Sequence, residues 1–440
     1  MRRVGSMFGW RFGKYGEIFS VRAFRLFWSG FTFSVLGDAM SRVALTWFVY
    51  EATGSAEALG WLMLAYTGPV IVGGLVAGTL LDRFDRRKVM LADNLVRGLA
   101  VALVPALHWL GLLQLWHVYA VAAIYGSLMM VSLAGGPALV PTLVRKEQLA
   151  TANALEMLTF TLGGVVGPVL AGLLISSIGA PNVLVLDALS YGVFALALWR
   201  IRFTVGEGEA PAAASAEGDR PNQTLLGVVR FAAGDRVLLS TTLMFAAFNL
   251  GQGFLFVWLP VLSGNMSGGG PELYGMLLGA WAVGEVIGSL LVGSVTLKVP
   301  LGTLICGSQF LSGLSLGLLV VDQTLWFSVP ALAMLGLFSA PLTIWAQTLR
   351  MQVIPPDMRG RTFALLRTMM QSTPPIGGAI AGLLLPVLGI PTMVAVSAAL
   401  AGLPGLLGYG VAELRGAGAS EQTLQHEMPL PGDIDYAIGE

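Results

Sequence analysis

Chemistry in this chain has to come from a few ionisable residues set inside long apolar runs. Asp38 lies about 12 residues into a run over 26–50, about 18 Å deep at 1.5 Å per residue, and Glu285 reaches a similar depth in a run over 273–297. A charge at that depth costs about 2.5 to 3.5 kcal/mol on insertion scales, so it marks a function or a dedicated partner. Asp38 has Arg42 four residues on, the spacing of a same-face pair. That leaves two readings, a neutralised structural pair or a group that exchanges protons. Glu285 has no basic neighbour within a turn, and low dielectric disfavours its charged form. It is the first choice for a group that binds and releases a proton; the competing reading is a carboxyl kept protonated or hydrogen-bonded to a neighbouring helix. Asp93 and Arg97 share the four-residue spacing and read as a second buried charge pair, of structural character. Glu156 and Asp187 lie shallower, able to reach interfacial water or to bond neighbouring backbone, and are weaker candidates.

Other chemistries lack their residues. No Gly-x4-Gly-Lys-Ser/Thr loop is present to cradle phosphates, and His108, His117 and His426 have no ligand spacing to one another or to the single cysteine, Cys306. No metal site and no cofactor are expected. With no nucleophile, base and metal constellation, an enzyme is not expected either. The 25 basic residues match the 25 acidic ones, so nothing points to nucleic acid. Uphill work then requires an ion gradient or a separate subunit.

The elements that position these residues follow from composition. Of 440 residues, 55% are hydrophobic and 11% charged, against roughly 25% charged in soluble domains, which excludes an ordinary water-soluble globule. Twelve apolar runs are long enough to span a bilayer: 26–50, 58–81, 89–110, 114–140, 149–178 and 182–200, then 237–262, 273–297, 300–321, 325–349, 361–388 and 391–412. None alternates like a barrel strand, and lipid leaves no partner for an open backbone, so all are helices. Apart from Arg42 and Arg97, the basic residues fall in alternate connections, among them Arg83 to Lys88, Arg145 and Lys146, and Arg350 to Arg367. Positive connections stay inside, so both termini are placed in the cytoplasm of a multi-pass cell (inner) membrane protein.

The chain also resembles itself. Shifted by 210, Ala171 to Leu174 fall on Ala381 to Leu384, Gly179 on Gly389 and Pro181 on Pro391; a shift of 215 carries Gly73 and Gly78 onto Gly288 and Gly293. The fold class is therefore all-α integral membrane, two pseudo-symmetric six-helix bundles over 26–203 and 237–412. A cytoplasmic segment 1–25 precedes them and a linker 204–236 joins them, with a short surface helix beginning near Leu225. A disordered cytoplasmic tail, 413–440, follows.

A binding surface can be read from aromatic, methionine and amide residues. Phe245, Phe248, Asn249 and Gln252 cluster on the seventh run, with Met276, Trp281, Trp345 and Gln347 on later ones. Thioethers and aromatic faces tolerate varied apolar shapes, although packing between helices or against lipid explains each residue singly.

Gly78-Thr79-Leu80-Leu81-Asp82-Arg83-Phe84-Asp85-Arg86-Arg87-Lys88 resembles the Gly-x3-Asp-Arg-x-Gly-Arg-Arg loop of the major facilitator superfamily, with Asp85 in the second glycine position. Gly163-Val165-Val166-Gly167-Pro168, continuing to Ala171-Gly172, is similar to that family's antiporter motif Gly-x3-Gly-Pro-x2-Gly-Gly. Over about 22–412 the chain resembles the drug:proton antiporter-3 branch, the macrolide-efflux-like exporters. The resemblance implies a monomeric secondary transporter that exports amphipathic or lipophilic small molecules in exchange for protons by alternating access. It gives Gly78, Asp82, Arg83, Arg86 and Arg87 the role of a breakable conformational latch, and Gly163, Gly167, Pro168 and Gly172 that of the antiporter motif. Two departures stand out: Leu297 occupies the second-half counterpart of Asp82, and 114–140 contains no arginine where the family carries one. Export of one metabolite, siderophore, metal ion or lysophospholipid fits the same scaffold. A non-transporting sensor or scaffold fits less well, because the short loops leave little docking surface.

Overall fold

The computed structural model describes residues 13–201, 225–294, 299–355 and 358–418. Lipid cannot satisfy a backbone amide, and the described chain accordingly runs as helices joined by short turns. In order these are α1 (Gly13–Ser20), α2 (Arg22–Thr53), α3 (Ala56–Arg83), α4 (Arg86–Trp109), α5 (Leu115–Leu143), α6 (Leu149–Ile178) and α7 (Ala180–Arg200). After the linker come α8 (Leu225–Gly234), α9 (Arg236–Asn265), α10 (Pro271–Ser294), α11 (Leu301–Val321), α12 (Leu325–Val353), α13 (Arg359–Gln371), α14 (Thr373–Tyr409) and α15 (Ala412–Arg415). Ten helical stretches among the described residues have the length and apolarity to cross a membrane. Twelve spans follow, because α2 is 32 residues long and the last stretch, Leu365–Tyr409, holds two.

The turns have local causes. Gly54 closes α2 with φ 58° while its N–H reaches Tyr50 O at 2.7 Å, and Ser55 Oγ then caps α3 by accepting from Ala58 N. Asp85, the residue in the family's glycine position, accepts from Arg87 N at 2.9 Å and Lys88 N at 3.4 Å and so starts α4. The repeat is most visible at Gly179 and Gly389. They hold φ of 83° and 74°, a region open to glycine, and each separates two apolar helices before a proline two residues on.

The described residues form two compact units, one drawn from Met1–Glu217, Phe256–Gly279 and Gly378–Val387, the other from Gly218–Leu255, Ala280–Gly377 and Leu388–Glu440. In the first, α3 packs on α5, and α2 and α4 both pack on α7. Close approach is possible because Gly73 faces the Ser127 backbone and Gly126 the Tyr66 backbone. Below them a ring cluster of Phe27, Phe31, Phe194 and Phe160 fills the space between α2, α6 and α7. In the second unit the same pairings recur: Gly288 faces the Leu337 backbone and Gly336 the Trp281 backbone between α10 and α12, while Gly251 and Gly313 bring α9 and α11 against residues 397–402 of α14. Small residues carry helix association where lipid removes the hydrophobic drive.

Three boundaries differ from the sequence reading. The first span begins at Arg22 and is preceded by α1. The eleventh is broken at Ser372, which serves as the C-cap of α13 and the N-cap of α14. Residues 413–418, read as the start of a disordered tail, are folded: Glu413 pairs with Arg236 at 2.6 Å, and Gly302 N reaches Ala417 O at 3.1 Å. The short helix expected from Leu225 is α8. Residues 1–12 of the N-terminal segment, the linker stretch 204–224, the tail beyond 418, and Leu297 lie outside the described residues.

Overpacking a glycine contact tests this account. Gly126→Leu drives a side chain into the Tyr66 backbone and is expected to destabilise by about 1 to 3 kcal/mol or more, lowering the thermal midpoint of the purified protein. Gly192→Ala, with open space at its Cβ, should leave the midpoint equal or higher.

Candidate functional site

Each unit brings one set of charged and polar residues together. In the first, α4 turns Asp93 and Arg97 to the same face and buries both, Arg97 completely. Arg97 Nε donates to Asp93 Oδ1 at 3.0 Å and Nη2 to Oδ2 at 2.5 Å. Nη1 donates to the Tyr191 hydroxyl at 2.9 Å, and Ser132 Oγ both accepts from Arg97 and donates to Asp93. The guanidinium lies 4.7 Å from the Tyr191 ring centre and 5.6 Å from that of Tyr125.

Asp38 joins this network across helices. The Tyr191 hydroxyl donates to Asp38 Oδ1, and Arg97 Nη1 stands 3.6 Å from Oδ2. The Asp38–Arg42 pairing allowed by spacing is not made: among the described residues Arg42 has no ion-pair partner and faces a small cavity with Tyr66 and Tyr274. Helical periodicity proposes neighbours on one helix, whereas a partner on another helix won because it is already desolvated beside two tyrosines. Asp187 corrects the sequence reading more sharply. Read as shallow, it is fully buried, accepts hydrogen bonds from Ser41 and Ser190, and fills the space a Cβ at Gly37 would take. Glu156 is buried too, with Oε1 unpartnered beside Gly136. Two carboxylates, from α2 and α4, thus meet one guanidinium, and a third, Asp187 of α7, is tied to α2 through Ser41.

In the second unit a cavity of about 610 Å³ opens among α9, α10, α12 and α13. Phe245, Phe248, Asn249, Gln252 and Gln347 line it as the sequence reading proposed, and Glu285 joins them. Glu285 sits beside Trp281 and Ser339. Met276, Trp281 and Trp345 are not part of the lining. The sequence reading missed Ser339, Thr343, Arg350, Phe363, Arg367, Met370 and Gln371. The two arginines had been counted only as cytoplasmic charge; their i, i+3 and i+4 offsets from Gln347 and Phe363 were the available signal.

The loop after α3 works through the backbone. Arg87 donates to Leu198 O and Trp199 O at the C-terminus of α7, both at 2.5 Å, and Arg86 donates to Ala138 O of α5 at 2.9 Å. Cations at helix C-termini oppose the negative end of the helix dipole. Arg83 and Gly78 are exposed, and the Asp82 side chain lies outside the described residues. The small residues of α6 divide by face. Gly163 and Gly167 lie against Val35 and Ala39 of α2, while Gly172 and the Pro168 carbonyl lie against the Pro271 and Gly275 backbone of α10.

Comparison with known proteins places this geometry. Residues 17–436 match the family described as transmembrane secretion effector, part of the major facilitator superfamily. The chain belongs to this family. Macrolide efflux protein A of Streptococcus pyogenes is 27% identical over 364 residues, 80% of this chain and 87% of that protein. The enterobactin exporter EntS of Shigella boydii is 27% identical over 368 residues, 82% and 84% of the two chains. Among solved structures, the nucleoside transporter NupG matches with TM-score 0.68 at 13% identity, covering 89% of this chain and 99% of that one. A bacterial homologue of the iron transporter ferroportin matches with TM-score 0.61 at 16% identity, covering 87% and 98%. The fold is thus the major facilitator fold of twelve helices in two related bundles, and the protein is a membrane transporter of a family with exporter relatives rather than an enzyme.

The network in the first unit predicts a specific energetic pattern. Arg97→Met strands buried carboxylates and should destabilise by about 3 to 5 kcal/mol. Adding Asp93→Asn should recover part of that loss, read as thermal midpoints of single and double variants; additive losses would show that the pair is uncoupled.

Proposed function

We propose that this protein exports amphipathic or lipophilic small organic molecules across the cell membrane, exchanging them for protons by alternating access. The observation that carries the reading is the cavity of the second unit, which combines three phenylalanines, side-chain amides and a carboxylate at a volume suited to a drug-sized guest. The two relatives, a macrolide efflux protein and an enterobactin exporter, support outward transport of bulky organic cargo. Alternating basic connections support cytoplasmic termini. The protein works as a monomer, since one chain supplies both bundles of the fold.

Protons need sites whose occupancy changes the protein's preference between states. Asp38 and Glu285 fill that role, one in each half. Asp38 shares Arg97 with Asp93 and lies one helical turn from Ser41, the donor to Asp187, so carboxylates outnumber the buried cation and a proton has a place to sit. Asp82, Arg83, Arg86 and Arg87 act as the latch of the resembling family. Gly163, Gly167, Pro168 and Gly172 let α6 lie close to α2 and α10. In proteoliposomes with an imposed proton gradient, Glu285→Gln and Asp38→Asn should each reduce uphill dye efflux by about tenfold or more. Unchanged efflux in both removes them from the mechanism.

Alternating access also requires close helix contacts to part. Gly60 lies against Gly378 and Gly382, and Gly172 against Gly275. In a Cys306→Ser background, Gly60→Cys with Gly382→Cys places two thiols within disulfide reach. Oxidation should arrest efflux and reduction restore it; full activity of the cross-linked protein rules out separation at this contact.

A further inference from the structure

The cavity of the second unit is not the neutral apolar chamber that its phenylalanines suggest. Two arginines, Arg350 and Arg367, line it with the single carboxylate Glu285. Arg350 is the unusual one. It is 4% exposed, yet among the described residues it has no ion-pair partner. Nη2 donates to the Thr241 carbonyl at 3.1 Å, the guanidinium lies 4.7 Å from the Phe245 ring centre, and Nε is left without a hydrogen-bond acceptor. The contrast with Arg97 is direct, since Arg97 is equally buried and has two carboxylates at hand. A buried guanidinium without a counter-charge is costly, and its planar fork suits the two oxygens of an acidic group.

From this we infer that the cavity binds organic anions: an aromatic or amphipathic body against Phe245, Phe248 and Phe363, with a carboxylate, sulfonate or acidic phenolate held by Arg350 and drawn in by Arg367. The cargo supplies the partner that the protein leaves out. Thr241 and the Phe245 ring hold the guanidinium in place before cargo arrives, which reduces the ordering cost of binding. Glu285 then sets the charge of the cavity, opposing an anion when ionised and admitting it when protonated, and shares the exchange with protons with the carboxylates of the first unit. This inference rests on the export reading for its biological meaning, but binding can be measured apart from flux.

Fluorescein and the methyl ester of tetramethylrhodamine share a xanthene ring system and differ in charge. Binding of each to the purified full-length protein in an uncharged detergent is followed by fluorescence polarisation, corrected with protein-free micelles. Fluorescein should bind about tenfold more tightly than the cationic ester, and Arg350→Gln should remove about that factor from fluorescein binding without weakening the cation. Arg367→Gln should weaken fluorescein about threefold, and Glu285→Gln should strengthen it by a similar factor. Equal binding, a preference for the cation, or Arg367→Gln and Glu285→Gln failing to move fluorescein in opposite directions overturns the anion site. The last two variants carry the test even where Arg350→Gln aggregates on size exclusion. Flux of both dyes from proteoliposomes separates the two claims. Arg350-dependent fluorescein binding with no driven flux of either dye upholds the site and overturns export, whereas driven flux of the ester without fluorescein binding upholds export and overturns the site.

Discussion

Helices surrounded by lipid gain nothing by burying apolar surface against one another, because lipid tails are as apolar as leucine. Their association depends on dispersion between closely approaching backbones, and glycine is the residue that permits the approach. In the first unit Gly73 and Gly126 bring α3 to α5; in the second, Gly288 and Gly336 bring α10 to α12. The same pairs of spans meet through the same kind of residue in both halves, which is how a weak sequence repeat becomes a structural one. Gly179 and Gly389 complete the correspondence by reversing the chain at the same place.

On that common frame the two units treat charge differently. The first encloses Arg97 with Asp38 and Asp93, two tyrosines and a serine, so nearly every polar atom has a partner inside the bundle. The second leaves Arg350 without a carboxylate partner among the described residues and places Glu285 on a cavity wall. A closed network holds helices together; an open one leaves charge facing a cavity. The loop after α3 belongs to the first kind, because Arg86 and Arg87 spend their donors on carbonyls of α5 and α7.

Much of this was legible in advance for physical reasons. Span number follows from apolar length, and the pairing of Asp93 with Arg97 follows from helical spacing, which a rigid helix enforces locally. Phe245, Phe248, Asn249 and Gln252 could be named as cavity residues because polar amides among aromatics on one span need a wet or shared face. Asp187 was misjudged because depth along a helix was taken as exposure, whereas α2 covers it laterally through Gly37. Asp38 had two legible partners, and only the position of α4 and α7 selected Arg97 and Tyr191 over Arg42.

The sequence by itself determined the quantities that depend on one helix at a time: how many spans there are, where they turn, which residues share a face, and that charges sit where lipid would refuse them. Tertiary structure decided which charges meet. Among the described residues Arg97 found its carboxylates and Arg350 did not, because ion pairing inside a membrane protein is settled by which helix lies alongside, and no periodicity within a single helix carries that information.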